Sequence, residues 1–144
     1  MTDCIFCKIV AQEIPSYKIY EDDKIYAFLD ITQVTKGHTL VVPKTHVTDI
    51  FDYQPDLAGE LFARIPKLAR ALEQAFPEMQ GLNIINNNKE LAYQSVFHSH
   101  IHLIPRYGHE DDFSIHFGNN QEAYTPEAMA TIAEKIEKQV NKHA

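Results

Sequence analysis

The chain has 144 residues, 44% of them hydrophobic and 23% charged. This composition excludes disordered, collagen-like and low-complexity classes, and at about 100–200 residues per domain it predicts one domain, residues 1–144, with a sizeable core. Lys and Arg number 13 against 20 Asp and Glu, a formal net charge of −7, which argues against a nucleic-acid partner because phosphate backbones need clustered cations.

Residues 4–10 predict a short helical turn with Ile5, Phe6, Ile9 and Val10 as its apolar residues, ended by Pro15. Tyr17–Tyr20 and Lys24–Leu29 are strand-like runs joined by the polar Glu21-Asp22-Asp23, a hairpin pattern. Gly37 turns the chain into a buried strand, Thr39-Leu40-Val41-Val42, stopped at Pro43. From Pro55 to Phe76, Leu57, Leu61, Ile65, Leu68, Leu72 and Phe76 recur at helical spacing. Pro66 lies inside this pattern and predicts a kink or a shortened helix. Leu82–Ile85 is a further strand, Lys89–Ser95 a polar loop, and Val96–Ile104 a strand ended by Pro105. Thr125-Pro126 starts a last helix, with the hydroxyl as N-cap and Pro at the first helical position. Strands with two longer helices predict an α+β domain. No apolar run approaches the ~20 residues that span a bilayer, so no membrane partner is expected. The opening Met1-Thr2-Asp3-Cys4 lacks the basic and apolar regions of a signal peptide, and a cytoplasmic protein is the expectation.

Eight histidines are many for such a chain, and three stand in the run His98-Ser99-His100-Ile101-His102. On a strand over 96–104 these three share one face, with neighbours about 6.6–7 Å apart. Ser99, Ile101 and Leu103 then point the other way. A solvated polar face, a metal site and nucleophilic or acid–base chemistry on a phosphate are the open readings. No H-E-x-x-H or zinc-deaminase pattern is present. Glycine-rich phosphate loops are absent too, so neutral donors would have to hold a phosphate. Cys4 and Cys7 form a C-x-x-C pair, which reads either as half of a zinc site or as two buried thiols.

The run His98-Ser99-His100-Ile101-His102-Leu103-Ile104 resembles the signature of the histidine triad (HIT) family. Ile5-Phe6-Cys7-Lys8-Ile9, Ala27-Phe28-Leu29-Asp30-Ile31, Gly37 to His46 and Gln94-Ser95-Val96-Phe97 follow the family pattern in order, over about residues 4–107. The resemblance implies a HIT-like fold: an antiparallel sheet of about five strands with two longer helices. It implies an enzyme that releases a nucleoside monophosphate from phosphoramidates or related conjugates through a nucleotidyl-histidine. Dinucleoside polyphosphate hydrolysis and nucleotide binding with little turnover are the alternatives. By the same likeness His100 is the nucleophile and His102 contacts the phosphate or leaving group. Asn87, Gln94, Ser95 and His38 belong to the phosphate side. Asp30 bonds the ribose, and Phe6, Phe28 and Ile31 wall the base pocket. The zinc-bearing branch of the family places ligands at Cys4, Cys7, His46 and His98, a closed structural site. The implied partner is a purine nucleotide or its conjugate, and the implied assembly a homodimer with the helix near 57–76 as interface element. Ser99 and Tyr93 depart from the pattern, which commonly has an apolar residue and a Gly there; looser packing and an altered loop are expected. The tail, 108–144, carries His109, His116 and His143, read as incidental.

Overall fold

Alternation of apolar residues at period 2 builds the sheet. The computed structural model describes residues 3–142. In it β1 (Lys18–Glu21), β2 (Ile25–Leu29), β3 (Thr39–Pro43), β4 (Gly81–Ile85) and β5 (Ile101–Arg106) form one five-stranded sheet. The order is β1-β2-β3-β5-β4, and every neighbouring pair is antiparallel. With α2 (Pro55–Ala75) and α3 (Pro126–Lys142) as the longer helices and α1 (Ile5–Val10) as a short one, this is the expected α+β architecture.

Each face of the sheet carries its own core. Ile25, Ala27, Val41, Ile101 and Leu103 meet Leu61, Ile65, Leu68 and Leu72 of α2. The alternate residues Tyr26, Phe28, Leu40 and Val42 meet Phe6 and Ile9 of α1 on the other face. The apolar stripe of α2 is thus filled by the chain's own sheet, and its helical periodicity reports a core. Leu40 pairs with His102, so that histidine stands on the α1 face.

The β1–β2 turn is fastened to α2. The Asp22 carboxylate accepts the backbone N–H groups of Lys24 and Ile25 and the Tyr20 hydroxyl, and the Arg64 guanidinium pairs with it. Burial acts to raise the Asp22 pKa, but the Arg64 contact and the backbone donors hold the carboxyl well below its usual range. Gly37 has φ 93°, and a Cβ there would come within 3.0 Å of the Phe76 ring, so glycine is required at the entry to β3.

Three expectations are corrected. The strand over 96–104 does not form: β5 starts only at Ile101, and residues 96–100 are irregular. Their backbone bonds outside the sheet, with Ser99 N donating to Val47 O. Pro105 does not end the strand, which runs to Arg106. The Pro105 carbonyl accepts from the Thr35 hydroxyl, on the side where the β3 ladder has already stopped at Thr39–Leu103, so the missing N–H costs no ladder bond. Nor does Pro66 interrupt α2, which is continuous over 21 residues. Pro66 is exposed, and a carbonyl left without its helical partner on that face can turn to water.

The chain divides into two units between Phe113 and Ser114. The first holds the sheet, α1 and α2. The second contains a single helical turn, Gln121–Ala123, and α3, whose Thr125 hydroxyl accepts from Ala128 N as an N-cap. No residue of α3 is buried. Leu61, fully buried beneath the sheet, gives the stability test: Leu61→Ala lowers the unfolding free energy by about 2–5 kcal/mol, read from urea titrations.

Candidate active site

The long β4–β5 connection carries much of the site, and Gln94 organises it. Its side-chain carbonyl accepts from Lys89 N, and its amide donates to Thr48 O and Val96 O. Gln94 is buried. All its hydrogen-bonding groups are committed to backbone, so it shapes the loop beside Ser95 and does not offer a free donor to a phosphate. Lys89 (φ 75°) and Tyr93 (φ 74°) bracket the loop in the left-handed region. This backbone at position 93 suits the Gly that the resemblance implies there. The Tyr93 ring is 86% exposed.

The histidines are ordered by backbone partners, and those partners fix their tautomers. His100 Nδ1 lies 2.9 Å from His98 O. A carbonyl only accepts, so Nδ1 carries the proton and Nε2 keeps its lone pair. His98 Nε2 lies 2.9 Å from Pro43 O, which leaves the His98 Nδ1 lone pair free. Val34 N–H points at His38 Nδ1, so the His38 proton is on Nε2 and is shared with His102 Nδ1 at 2.9 Å. Neutral His102 then carries its proton on Nε2. Burial lowers the pKa of His38 and His100. Burial, with the neighbouring His100 and His38, pushes His102 down to about 4.

A cavity of about 460 Å³ opens on the α1 face. Phe6, Phe28, Ile31 and Leu40 are among its apolar walls, and Asp30, Ser95, His100 and His102 its polar edge. Asp30 Oδ1 accepts from Thr32 N and from its hydroxyl. Oδ2 faces His38 Nε2 at 3.7 Å and is free to accept a hydroxyl. Burial acts to raise the Asp30 pKa, but the Thr32 donors and both histidines bring it below its ordinary value. Seven of the expected substrate-side residues, Phe6, Phe28, Asp30, Ile31, Ser95, His100 and His102, line this one cavity. His38 lies behind His102, while Asn87 and Gln94 are outside the cavity wall.

A second cluster sits at the start of α1. Cys4 Sγ is 3.3 Å and Cys7 Sγ 3.5 Å from His98 Nδ1. Cys7 Sγ is 3.3 Å and His98 Nδ1 3.2 Å from His46 Nδ1. A tetrahedral zinc with usual bond lengths separates its N ligands by about 3.3 Å and its S and N ligands by about 3.5 Å. The four donor atoms therefore fit a zinc ion. Asp30, His38 and His102 also group closely, but Val34 N–H keeps the His38 proton on Nε2, which suits proton sharing rather than metal ligation.

Several participants are not visible from residue type. Asn86 donates to His100 O; nothing in the run Asn86-Asn87-Asn88 singles it out, and only the Ile85–His102 register brings it there. Ile5, Ile9 and Leu40 line the cavity, yet they read as ordinary core. Ser99, expected to loosen the packing, is fully buried, and Tyr53 donates its hydroxyl to it at 2.9 Å. His109 and His116 are exposed, and His143 lies outside the described residues.

A HIT domain profile matches residues 11–109. The chain superposes on the crystal structure of a HIT family member from Bacillus subtilis with a TM-score of 0.91 and 51% identity, covering 94% of this chain and 96% of that one. It is 34% identical to the adenosine 5′-monophosphoramidase HNT1 of Candida albicans over 96% of this chain and 92% of the relative. A zinc-bound histidine triad family protein from Mycobacterium smegmatis has a TM-score of 0.73 at 36% identity, covering 84% of this chain and 87% of that one. An open antiparallel sheet bearing a histidine row at its cavity defines the class, and the chain belongs to the HIT family.

Because the His102 pKa is depressed on folding, the unfolded chain binds more protons between about pH 4 and pH 6.5. Its contribution to stability is therefore complete above pH 6.5 and declines as pH falls towards 4. Side-chain NMR titration should place the His102 midpoint near 4; a midpoint near 6.5 would contradict the burial argument.

Proposed function

We propose that the protein hydrolyses purine nucleoside phosphoramidates or related nucleotide conjugates at the α-phosphorus, releasing the nucleoside monophosphate. The observation that carries this reading is the His100 tautomer: Nδ1–H is bonded to His98 O, so the Nε2 lone pair is available on a ring that lines the cavity. The base lies against Phe6, Phe28 and Ile31, and Asp30 Oδ2 accepts ribose hydroxyls. His100 Nε2 attacks phosphorus to form a nucleotidyl-histidine as the bond to the leaving amine breaks; water then cleaves the intermediate. His102 Nε2–H hydrogen-bonds the phosphoryl oxygen or departing group, with His38 fixing its tautomer. Ser95 supplies a neutral donor to the phosphate, Gln94 holds the loop that carries it, and Asn87 lies on the outer phosphate side. Neutral donors in a partly dry cavity stabilise developing charge well. The Candida relative, an adenosine 5′-monophosphoramidase by name, supports this substrate class.

Incubation with adenosine 5′-phosphoramidate should release AMP, and an acid-free quench should trap the adduct on His100. His100→Ala abolishes turnover and leaves AMP binding within about threefold, since the lost group acts mainly in the transition state. Faster turnover of dinucleoside polyphosphates across a substrate panel would move the assignment to that class. AMP binding without turnover of any substrate would make the protein a binding module.

The Cys4, Cys7, His46 and His98 set would hold a structural zinc that pins α1 to the sheet. All four positions are protein ligands, so the site is closed to substrate. Protein purified without chelator should contain about one zinc per chain, and Cys7→Ser should lose it and unfold at lower temperature. We place a homodimer contact at β4, an edge strand with Ile84 half-exposed. Sedimentation should give twice the chain mass, and Ile84→Lys should give the monomer.

A further inference from the structure

The nucleophile's ring has one hydrogen bond, to His98 O, and two ring neighbours, His102 at 5.1 Å and Phe6 at 5.0 Å. The bond from His100 Nδ1 to His98 O fixes one edge of the imidazole but still lets the ring tilt about that edge. The Phe6 ring closes off the tilt: its centroid is 5.0 Å from that of His100, at an interplanar angle of 82°. Phe6 is itself immobilised. It is buried, with Phe28 edge-on at 5.6 Å and His98 at 5.9 Å.

Phe6 rides on α1, a helix of six residues. So short a helix has no stability of its own. It is held where Cys4 caps its first turn and where Cys4 and Cys7, on either side of Phe6, converge on His46 and His98. His98 thus joins the cluster through its ring and the nucleophile through its carbonyl, and Phe6 provides a second, independent link between the same two places.

We infer that Phe6 is a positioning residue for the nucleophile: its ring sets the direction of His100 Nε2 and couples the Cys/His cluster to the transfer step. The inference rests on the phosphoramidase reading. In that step the Nε2 lone pair forms the N–P bond while the P–N bond to the leaving amine breaks. The bond's electron pair goes to that amine, which takes a proton from solvent water. Displacement of this kind tolerates little misalignment, and an error of about 1 Å can cost about a hundredfold. Phe6 also walls the base pocket. A wall residue alone predicts weaker binding, whereas a positioning residue predicts slower chemistry.

Phe6→Leu and the volume-matched Phe6→Met separate the two. With adenosine 5′-phosphoramidate we expect kcat to fall at least about tenfold, while the AMP dissociation constant rises less than about threefold. Phe28→Leu trims the same wall at a ring whose aromatic neighbours are Phe6 and Tyr26; it should weaken AMP binding at least as much and lower kcat less. Weakened AMP binding with kcat retained in both Phe6 variants would overturn the inference. A second readout needs no turnover. Carbon relaxation NMR of the His100 ring in the substrate-free protein should show a rigid imidazole, and a ring of lower order in Phe6→Met, with the Nδ1–H tautomer kept by the His98 O bond in both. An equally rigid ring in Phe6→Met would sink the positioning role even if the chemistry proved to be of another kind, whereas a loosened ring in Phe6→Met together with a wild type that does not turn over the phosphoramidate would sink the phosphoramidase reading and leave the positioning role standing.

Discussion

Everything in the site depends on how His98 is held. Its ring is fully buried, and Nε2–H is given to Pro43 O at the end of β3. That single bond turns Nδ1 towards the two cysteines and His46, and it fixes the ring so that the main chain passes on to His100 in one geometry. The His98 carbonyl then accepts from His100 Nδ1. One residue therefore orders the Cys/His cluster with its side chain and the His100 tautomer with its backbone. A buried neutral imidazole suits both tasks. Burial and the like charge of His46 and His100 outweigh the donation to Pro43 O, which acts to raise the pKa, and push the ring down to about 4, so near neutral pH it presents a lone pair rather than a second N–H.

The sheet explains why these groups meet. Leu40 opposite His102 and Ile85 opposite the same residue put the third histidine between β3 and β4 on the α1 face. The irregular stretch before β5 does what a strand could not. A regular strand would set His98, His100 and His102 in a row with equal roles and similar exposure. Leaving the ladder at Ile101 lets His98 sink into the sheet edge and turn to the cysteines. His100 is left at the cavity and His102 against His38. The departure from regular structure divides one repeated motif into three different surroundings.

Much of this was legible in the sequence because it follows from residue type and period. The first four strands, α2 and its buried stripe of Leu61, Ile65, Leu68 and Leu72 came from residue type and spacing. The Thr125 cap came from the Thr-Pro pair. The cavity residues came from resemblance, since Phe6, Phe28 and Ile31 look like core by any local rule. What stayed hidden depends on register or on backbone partners. The strand propensity of Val96, Phe97 and Ile101 gave no hint that the ladder starts at Ile101, because the bonds that replace it run to Val47. Pro105 looked like a terminator because its unpaired side could not be known before the end of β3 was placed. Gln94 looked like a phosphate donor because its chemistry is right, and only the closed loop shows its amide fully used. Asn86 and Tyr53 belong to the same class: each acts on a backbone or hydroxyl group that tertiary structure alone brings within reach.

A chain with net charge −7 can still host a phosphate because the site works through neutral groups. With the imidazole pKa values of His38, His100 and His102 all depressed, the chemistry is set by which nitrogen bears the proton rather than by how many charges are present. Each of those protons is placed by a main-chain group: His98 O for His100, Val34 N–H for His38 and, through His38, for His102. Main-chain groups are positioned by strand register and loop closure, not by side-chain rotamers. A surface substitution that alters the protein's overall charge therefore leaves these tautomers untouched, whereas a slip of one residue in the β3–β5 pairing would part His102 from His38 and remove the group that places the His102 proton. The His100 and His38 protons are set by partners two and four residues away along the chain, so the sheet's pairing decides one member of the set and local backbone the other two.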